Sequence, residues 1–286
     1  MAAKKNVTAE EHAHASKKAR THTIYKNLAG ERIPGTTTIT GGAAKQQLVK
    51  WANKLGLQGI EVEKYVDELA TIGTLAHYLI ECHCLKIEPN LGDATPNQLE
   101  LARNSFNKWL SWQDMVGFVP EHNEIELVSE RFQFGGTIDI IGTLTKRNNR
   151  RALVDIKTCK AIYTDAKTQV SGGYMLIAQE HVDSLGPIDD VIITRVGRNS
   201  EEGFEEIVIS SQESFYNQTR FIDLRCEYEN LKLTDTYKGP CKNPEKAQLN
   251  LAMFSLQKVA LMINFGLPIN DKIESLIGDL SRSIKF

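Results

Sequence analysis

Apolar residues recur at helical spacing in the first part of the chain and alternate with polar ones in the middle. Between Ala43 and Leu55, the residues Leu48, Trp51, Ala52 and Leu55 share one helix face. A second run, Val62 to Leu85, continues the period through Ile72, Leu75, Ala76, Leu79 and Ile80. Asp93-Ala94-Thr95-Pro96 starts a third helix that runs through Trp109 to Met115, with Thr95 as its cap and Pro96 in its first turn. Trp109 and Trp112, three apart on that helix, read as core rather than as base-stacking platforms. Ahead of these helices, THTIYKN and RIPGTTTIT are β-branched runs around the turn LAGE, which predicts a hairpin over 21–40.

The texture then changes. Glu124 to Val128 alternates, Gln133 to Leu144 reads as a strand with a Gly135-Gly136 turn ahead of it, and Arg151 to Thr158 reads as another. TKRNNRR between the last two is a hairpin-type turn. A helix from about Lys167 to His181 follows, then strands at Val191–Val196 and Phe204–Ile209. Ser210 to Leu231 is helical, and so is Lys242 to Phe286, with a break near Gly266-Leu267-Pro268. Within that last segment, Leu249 to Phe265 carries an apolar face that reads as core. The order is helices, then β-β-β-α-β-β, then helices. That is an α/β (α+β) core with helical additions at both ends. It divides the chain into an aperiodic arm over 1–20, a hairpin and helical segment over 21–120, a core over 121–210 and a C-terminal helical extension over 211–286.

Composition narrows the class without naming it. Of 286 residues, 41% are hydrophobic and 24% charged, ordinary values that exclude collagen, coiled coil and wholesale disorder. Lys plus Arg number 34 and Asp plus Glu 36, so 34 − 36 gives a net charge of −2. Nucleic-acid binding therefore needs a local basic patch. No stretch is long and apolar enough for a membrane span, and the N-terminus lacks an apolar signal core, so the expected compartment is the cytoplasm. Five cysteines, an odd number, argue against a disulfide framework. Cys82 and Cys84 are two apart on a helix, about 200° around its axis, which speaks against a zinc site.

Chemistry concentrates between Phe134 and Tyr174. Asp139 lies among Ile138, Ile140 and Ile141, and Asp155 lies between Val154 and Ile156. A carboxylate in an apolar strand is unfavourable unless it is paired or metal-bound. On consecutive strands the two acids can face each other, and Lys157, two beyond Asp155, shares its face. Spacing leaves two readings open: a hard divalent cation held by the carboxylates, or a buried Asp–Lys ion pair. His77 and Glu81, at i and i+4, share a helix face and on spacing alone read as a surface pair. Lys146, Arg147, Arg150 and Arg151 cluster in the hairpin turn, either as a solvated tip or as a phosphate-binding patch, and Lys160 follows the second acidic strand. Lys4, Lys5, Lys17, Lys18 and Arg20 in the arm suit either DNA contact or a disordered tail.

GGTIDIIG followed by LVDIKT resembles the core of the PD-(D/E)XK nuclease superfamily, in the branch of RecB-type nuclease domains, lambda-type phage exonucleases and the mitochondrial genome maintenance exonuclease. IPGTTTIT resembles that branch's Pro-Ser-Val-Thr segment, with Gly35 in place of Ser. IGTLAHYLIE resembles its Gly-Thr-x-x-His-x-x-x-Glu helix. Gln169 to Tyr174 resembles its Gln-x-x-x-Tyr helix with one residue more between the two. The likeness spans roughly 33–180.

The resemblance implies a restriction-endonuclease-like mixed sheet flanked by helices, and phosphodiester hydrolysis that depends on Mg²⁺ or Mn²⁺. It implies Asp139, Asp155 and the Ile156 carbonyl as metal ligands, with His77 or Glu81 as a further metal or water ligand. Lys157 takes the catalytic lysine's place, Gln169 joins the catalytic set, and the stretch from Lys160 into the helix of Gln169 and Tyr174 faces DNA. The charge cluster of Lys146, Arg147, Arg150 and Arg151 adds, on its own account, an expected contact to the phosphate backbone. The expected protein is an exonuclease acting on single-stranded or duplex DNA ends in recombination, repair or phage DNA metabolism, in the host cytoplasm if phage-encoded. A homo-oligomer or a recombination partner protein is left open. The alternatives are a non-catalytic DNA-end or single-strand binding protein on the same fold, and a structure-selective endonuclease.

Overall fold

The computed structural model describes residues 23–41, 46–92, 94–234 and 240–266. The arm over 1–20, the start of the helix expected from Ala43, Asp93 and the chain beyond 266 lie outside the described residues.

The chain begins with a hairpin much shorter than expected, β1 (Tyr25–Lys26) against β2 (Arg32–Ile33). TTTIT is a short helix, α1 (Thr36–Gly41), not a strand. Thr36, Ile39 and Thr40 are its buried residues, at helical spacing, and Thr40 Oγ1 donates to the Thr36 carbonyl at 3.2 Å. Burial and this back-bond outweigh the β preference of the branched side chains.

Helices α2 (Gln46–Leu57), α3 (Val62–Leu85) and α4 (Pro96–Val116) follow. The predicted start of α4 is borne out: Thr95 and Gln98 form a reciprocal capping box with Pro in the first turn.

Five strands make the main sheet: β3 (Phe118–Ser129), β4 (Phe134–Leu144), β5 (Arg150–Lys157), β6 (Asp190–Val196) and β7 (Phe204–Ile209). They lie side by side in chain order. Every neighbouring pair is antiparallel except β5–β6, which is parallel. The parallel step needs a crossover. It is supplied by α5 (Thr164–Lys167), a π-helical stretch over Thr168–Tyr174, α6 (Met175–Glu180) and α7 (Val182–Leu185). The class expected from the element order, a mixed α/β architecture, is what the chain adopts.

Gly135 and Gly136 are not a turn but lie inside β4. A Cβ at Gly135 would overlap the Tyr25 ring, so the glycine is there to let the first hairpin pack on the sheet. The Tyr25 and Thr137 hydroxyls meet at 2.9 Å and fix that contact.

Two cores sandwich the sheet. On one face, Ile80, Trp109, Trp112 and Phe118 pack on Ala152, Val154 and Ile156. Trp109 and Trp112 are 0% and 1% exposed, so both belong to the core as expected. On the other face, Val170, Tyr174 and Met175 pack on Leu153, Val191 and Ile193. α8 (Ser211–Thr234) and α9 (Pro244–Asn264) cover the flank, where Phe221 and Phe254 are fully buried. The apolar face of α9 is core only in part, since Leu249 and Ile263 stay exposed. Among the described residues no helix is long and apolar enough to cross a membrane.

Candidate metal centre and catalytic cleft

β5 is buried on both sides, so its alternation decides which side chains can do chemistry. Ala152, Val154 and Ile156 face α3 and α4, which leaves Asp155 and Lys157 on the face of Leu153. Asp155 is 1% exposed. Its Oδ2 meets Lys157 Nζ at 2.7 Å as an ion pair, while Oδ1 has no hydrogen-bond partner among the described residues. The Asp–Lys pair that spacing left open is therefore formed. Burial pulls the Lys157 ammonium down, but Asp155 and then Asp139 outweigh it and raise its pKa. Lys157 is held as a cation.

Asp139 sits on β4 beside this pair. Its Oδ2 accepts the Ile156 backbone N–H at 2.8 Å, which ties the two strands together at the site. Across the β3–β4 ladder, Asn123 pairs with Ile140 and Ile125 with Ile138, so Glu124 and Asp139 fall opposite each other. Two facing carboxylates repel unless a cation or proton lies between them. Glu124 also holds a left-handed backbone conformation (φ 48°), uncommon for a residue inside a strand.

His77 reaches both acids from α3. Its Nδ1 lies 3.8 Å from Glu124 Oε1 and 3.8 Å from Asp139 Oδ2. Burial disfavours the imidazolium, yet Asp139 and Glu124 together overcome that and lift its pKa to about 9. Burial, then Asp155, raise Asp139 to about 7. One ligand atom from each of His77, Glu124 and Asp139 lies within 4.8 Å of the others, a set that could hold a metal ion. One nitrogen and two carboxylate oxygens fit a divalent cation, with Mn²⁺ better matched to the imidazole than Mg²⁺. Asp139 thus joins a metal-competent group as expected, but its partners in that group are His77 and Glu124, while Asp155 holds Lys157.

Glu124 was missed from the sequence. It is one of three glutamates in EHNEIE, and alternation alone cannot distinguish it. Glu81 moves the other way. It is buried at 2% and absent from the lining of the cleft that holds His77. A shared helix face does not bring both residues to one wall, because α3 also packs on α4.

The cleft is open and large, about 1570 Å³. Its floor includes Asp139, Asp155, Ile156 and Lys157, with His77 on the α3 side and Gln169 and Tyr174 on the crossover side. Gln169 Nε2 donates to Tyr174 Oη at 2.6 Å. The π-helical stretch explains the extra residue between them: its wider turn brings i and i+5 onto one face. Burial, then Asp155 and Asp139, push the Tyr174 phenol well above its usual value, so it stays protonated.

The basic hairpin turn is not here. None of Lys146, Arg147, Arg150 and Arg151 lines the cleft; the turn joins the end of β4 to the start of β5, whereas Lys157 is the last residue of β5 and Asp139 lies midway along β4. Each cation has an acid instead. Arg147 holds Glu206 at 2.6 and 2.8 Å, Arg150 holds Asp190 at 2.7 and 2.8 Å, Arg151 holds Glu121 at 2.6 Å, and Lys146 lies 3.5 Å from Asp114. These residues pair with acids of neighbouring elements at that end of the sheet and lie outside the cleft that holds Asp155 and Lys157. Lys160 does line the cleft, joined by Arg32, which the sequence reading passed over; neither is ion-paired to another described residue. Neither the comparison with protein-family models nor that with curated proteins gives a match for this chain.

Proposed function

We propose that this chain is a divalent-metal-dependent DNA nuclease that hydrolyses phosphodiester bonds from DNA ends. The observation that carries the reading is the convergence of His77, Glu124 and Asp139 beside the buried Asp155–Lys157 pair in one open cleft. A purely structural Asp–Lys pair has no need of a second cluster of acids and imidazole next to it. The strand order, three antiparallel strands followed by a helical crossover to a parallel fourth, supports the PD-(D/E)XK resemblance. Residues His77, Asp139, Asp155, Lys157, Gln169 and Tyr174, named from that resemblance, all line the cleft.

A divalent cation bound by His77, Glu124 and Asp139 would supply Lewis-acid polarisation of a phosphoryl oxygen and ease deprotonation of water. The chain's own groups do the rest. Lys157, kept protonated by Asp155, stabilises negative charge that builds on the phosphoryl oxygens as water attacks and the ester oxygen leaves. Because it is charged, Lys157 orients water rather than deprotonating it. The Ile156 N–H fixes Asp139, so the acids need not reorganise during the step. Gln169 and Tyr174 offer amide and phenol donors on the crossover side. Arg32 and Lys160 extend positive charge along the cleft for the phosphates on either side.

The test is digestion of end-labelled linear, covalently closed circular and single-stranded DNA with Mg²⁺ or Mn²⁺ and with EDTA. Linear DNA should be degraded, the closed circle spared, and EDTA should stop the reaction. Rapid nicking of the circle would overturn the exonuclease assignment and leave a metal-dependent endonuclease. No hydrolysis of any substrate with either metal would overturn the nuclease reading.

A further inference from the structure

Helix α2 carries an apolar stripe that the fold does not bury. Leu48 is 52% exposed and Trp51 37%, whereas the chain's other tryptophans, Trp109 and Trp112, are sealed in the core. Tyr65 and Val66 on α3 continue the stripe and are 38% and 42% exposed. The Trp51 and Tyr65 rings lie 6.2 Å apart at 48°, so the two do not close on each other as a parallel stack. All four residues line the same cleft as His77, Asp139 and Lys157.

We propose that Trp51 and Tyr65 form a stacking subsite for the bases of single-stranded DNA whose backbone passes the metal-competent cluster. This rests on the nuclease reading and adds to it the strand form of the substrate and the residues that select it. A single strand is amphiphilic: its bases offer apolar faces and its phosphates negative charge. The cleft has matching parts, an aromatic and aliphatic wall from α2 and α3 and, elsewhere in its lining, the cations Arg32 and Lys160, which form no ion pair with another described residue. Duplex DNA keeps its base faces stacked inside and can use only the cations. Stacking tolerates any base, so this wall gives strand selectivity without sequence selectivity.

The experiment uses the full chain in EDTA, where a metal-dependent nuclease leaves DNA intact. Trp51 is the only exposed tryptophan of the three, so intrinsic fluorescence reports on this wall. Oligo(dT) should quench wild-type fluorescence, and a hairpin duplex of matched length should quench it much less. Trp51→Ala should bind oligo(dT) about tenfold or more weakly, with duplex affinity changed less than threefold. Trp51→Phe should retain most of the single-strand affinity. Equal loss on both DNA forms, or unchanged oligo(dT) affinity in Trp51→Ala, would overturn the proposal. So would a wild-type dimer that Trp51→Ala converts to monomer in sedimentation, because the wall would then be covered by a second copy. Mn²⁺-induced thermal stabilisation, measured in parallel, separates the two readings. If wild type responds to Mn²⁺ and cuts DNA while Trp51→Ala binds as wild type does, only the stacking subsite fails. If wild type binds neither Mn²⁺ nor DNA, the nuclease reading falls and the subsite with it.

Discussion

Replacing Asp139 with Asn tests the metal-competent cluster with little disturbance of the fold. The side chain is nearly isosteric, and an amide oxygen can still accept the Ile156 N–H now bonded at 2.8 Å. Keeping that bond avoids leaving a buried donor unpaired, which would cost about 1–3 kcal/mol. Two electrostatic changes then oppose each other. Asp139 is raised from 3.8 to about 7, so its ionised form is disfavoured in the folded chain, and removing it relieves that strain above neutral pH. His77 is raised from 6.5 to about 9, chiefly by Asp139, and loses that support. Because the two shifts act in opposite senses, metal-free stability at pH 7.5 should change by no more than about 1 kcal/mol. The response to metal should change far more. A ligand that binds only the folded state at a hundred times its Kd stabilises it by about 2.7 kcal/mol. At about 2–4 °C per kcal/mol for chains approaching this size, that is a rise of roughly 5 °C or more. Thermal unfolding by circular dichroism, with Mn²⁺ against EDTA, should show that rise in wild type and less than about 1 °C in Asp139→Asn at the same Mn²⁺ concentration. A variant that keeps the full shift would refute the assignment of Asp139 to the cluster, and a wild type without any shift would refute the cluster itself.

Lys157→Ala should slow DNA cleavage by about a hundredfold or more, near 2.7 kcal/mol of barrier, while single-turnover assays show DNA affinity altered less than tenfold; wild-type cleavage in that variant would remove Lys157 from the chemistry. Arg32→Gln and Lys160→Gln should each reduce the log–log slope of DNA affinity against salt by about 0.7–0.9, whereas substituting Lys146 should leave the slope unchanged. The opposite ranking would restore the hairpin turn as the phosphate patch. Metal competes with the protons that His77 holds up to about 9 and Asp139 up to about 7, so Mn²⁺ affinity should rise with pH through both values and flatten above them. Calorimetry in buffers of different ionisation heat should detect proton release near pH 7.5, and none would contradict the protonated cluster. The sign for the metal-free protein is the reverse at His77: its stabilising contribution is full below 6.5 and is lost as pH rises through about 9.

Local pattern by itself determined most of the elements. The 3.6 period fixed α3 to Val62–Leu85, the Thr95-Pro96 pair started α4, and β-branched alternation gave Phe204–Ile209 as a strand. These signals survive because they are written within one turn or one strand and the tertiary fold agrees with them. The placement of Asp155 and Lys157 on one strand face was legible for the same reason, since alternation is a property of the strand alone. Tertiary structure decided what depended on distant partners. TTTIT became helix because its burial against the sheet overrode its propensity. Gly135-Gly136 stayed in a strand because residues far away in sequence pack on it, Tyr25 on the first glycine and Thr36 and Tyr174 on the second. The π-helical turn brought Gln169 to Tyr174 across five residues, a register no Gln-x-x-x-Tyr pattern can specify. Glu124 became a partner of His77 and Asp139 only through the pairing of β3 with β4, and the ion pairs of the basic turn depend on acids that other elements bring to it. The sequence by itself gave the chemistry-bearing strands. Which charges meet there depended on through-space contacts that no single segment encodes.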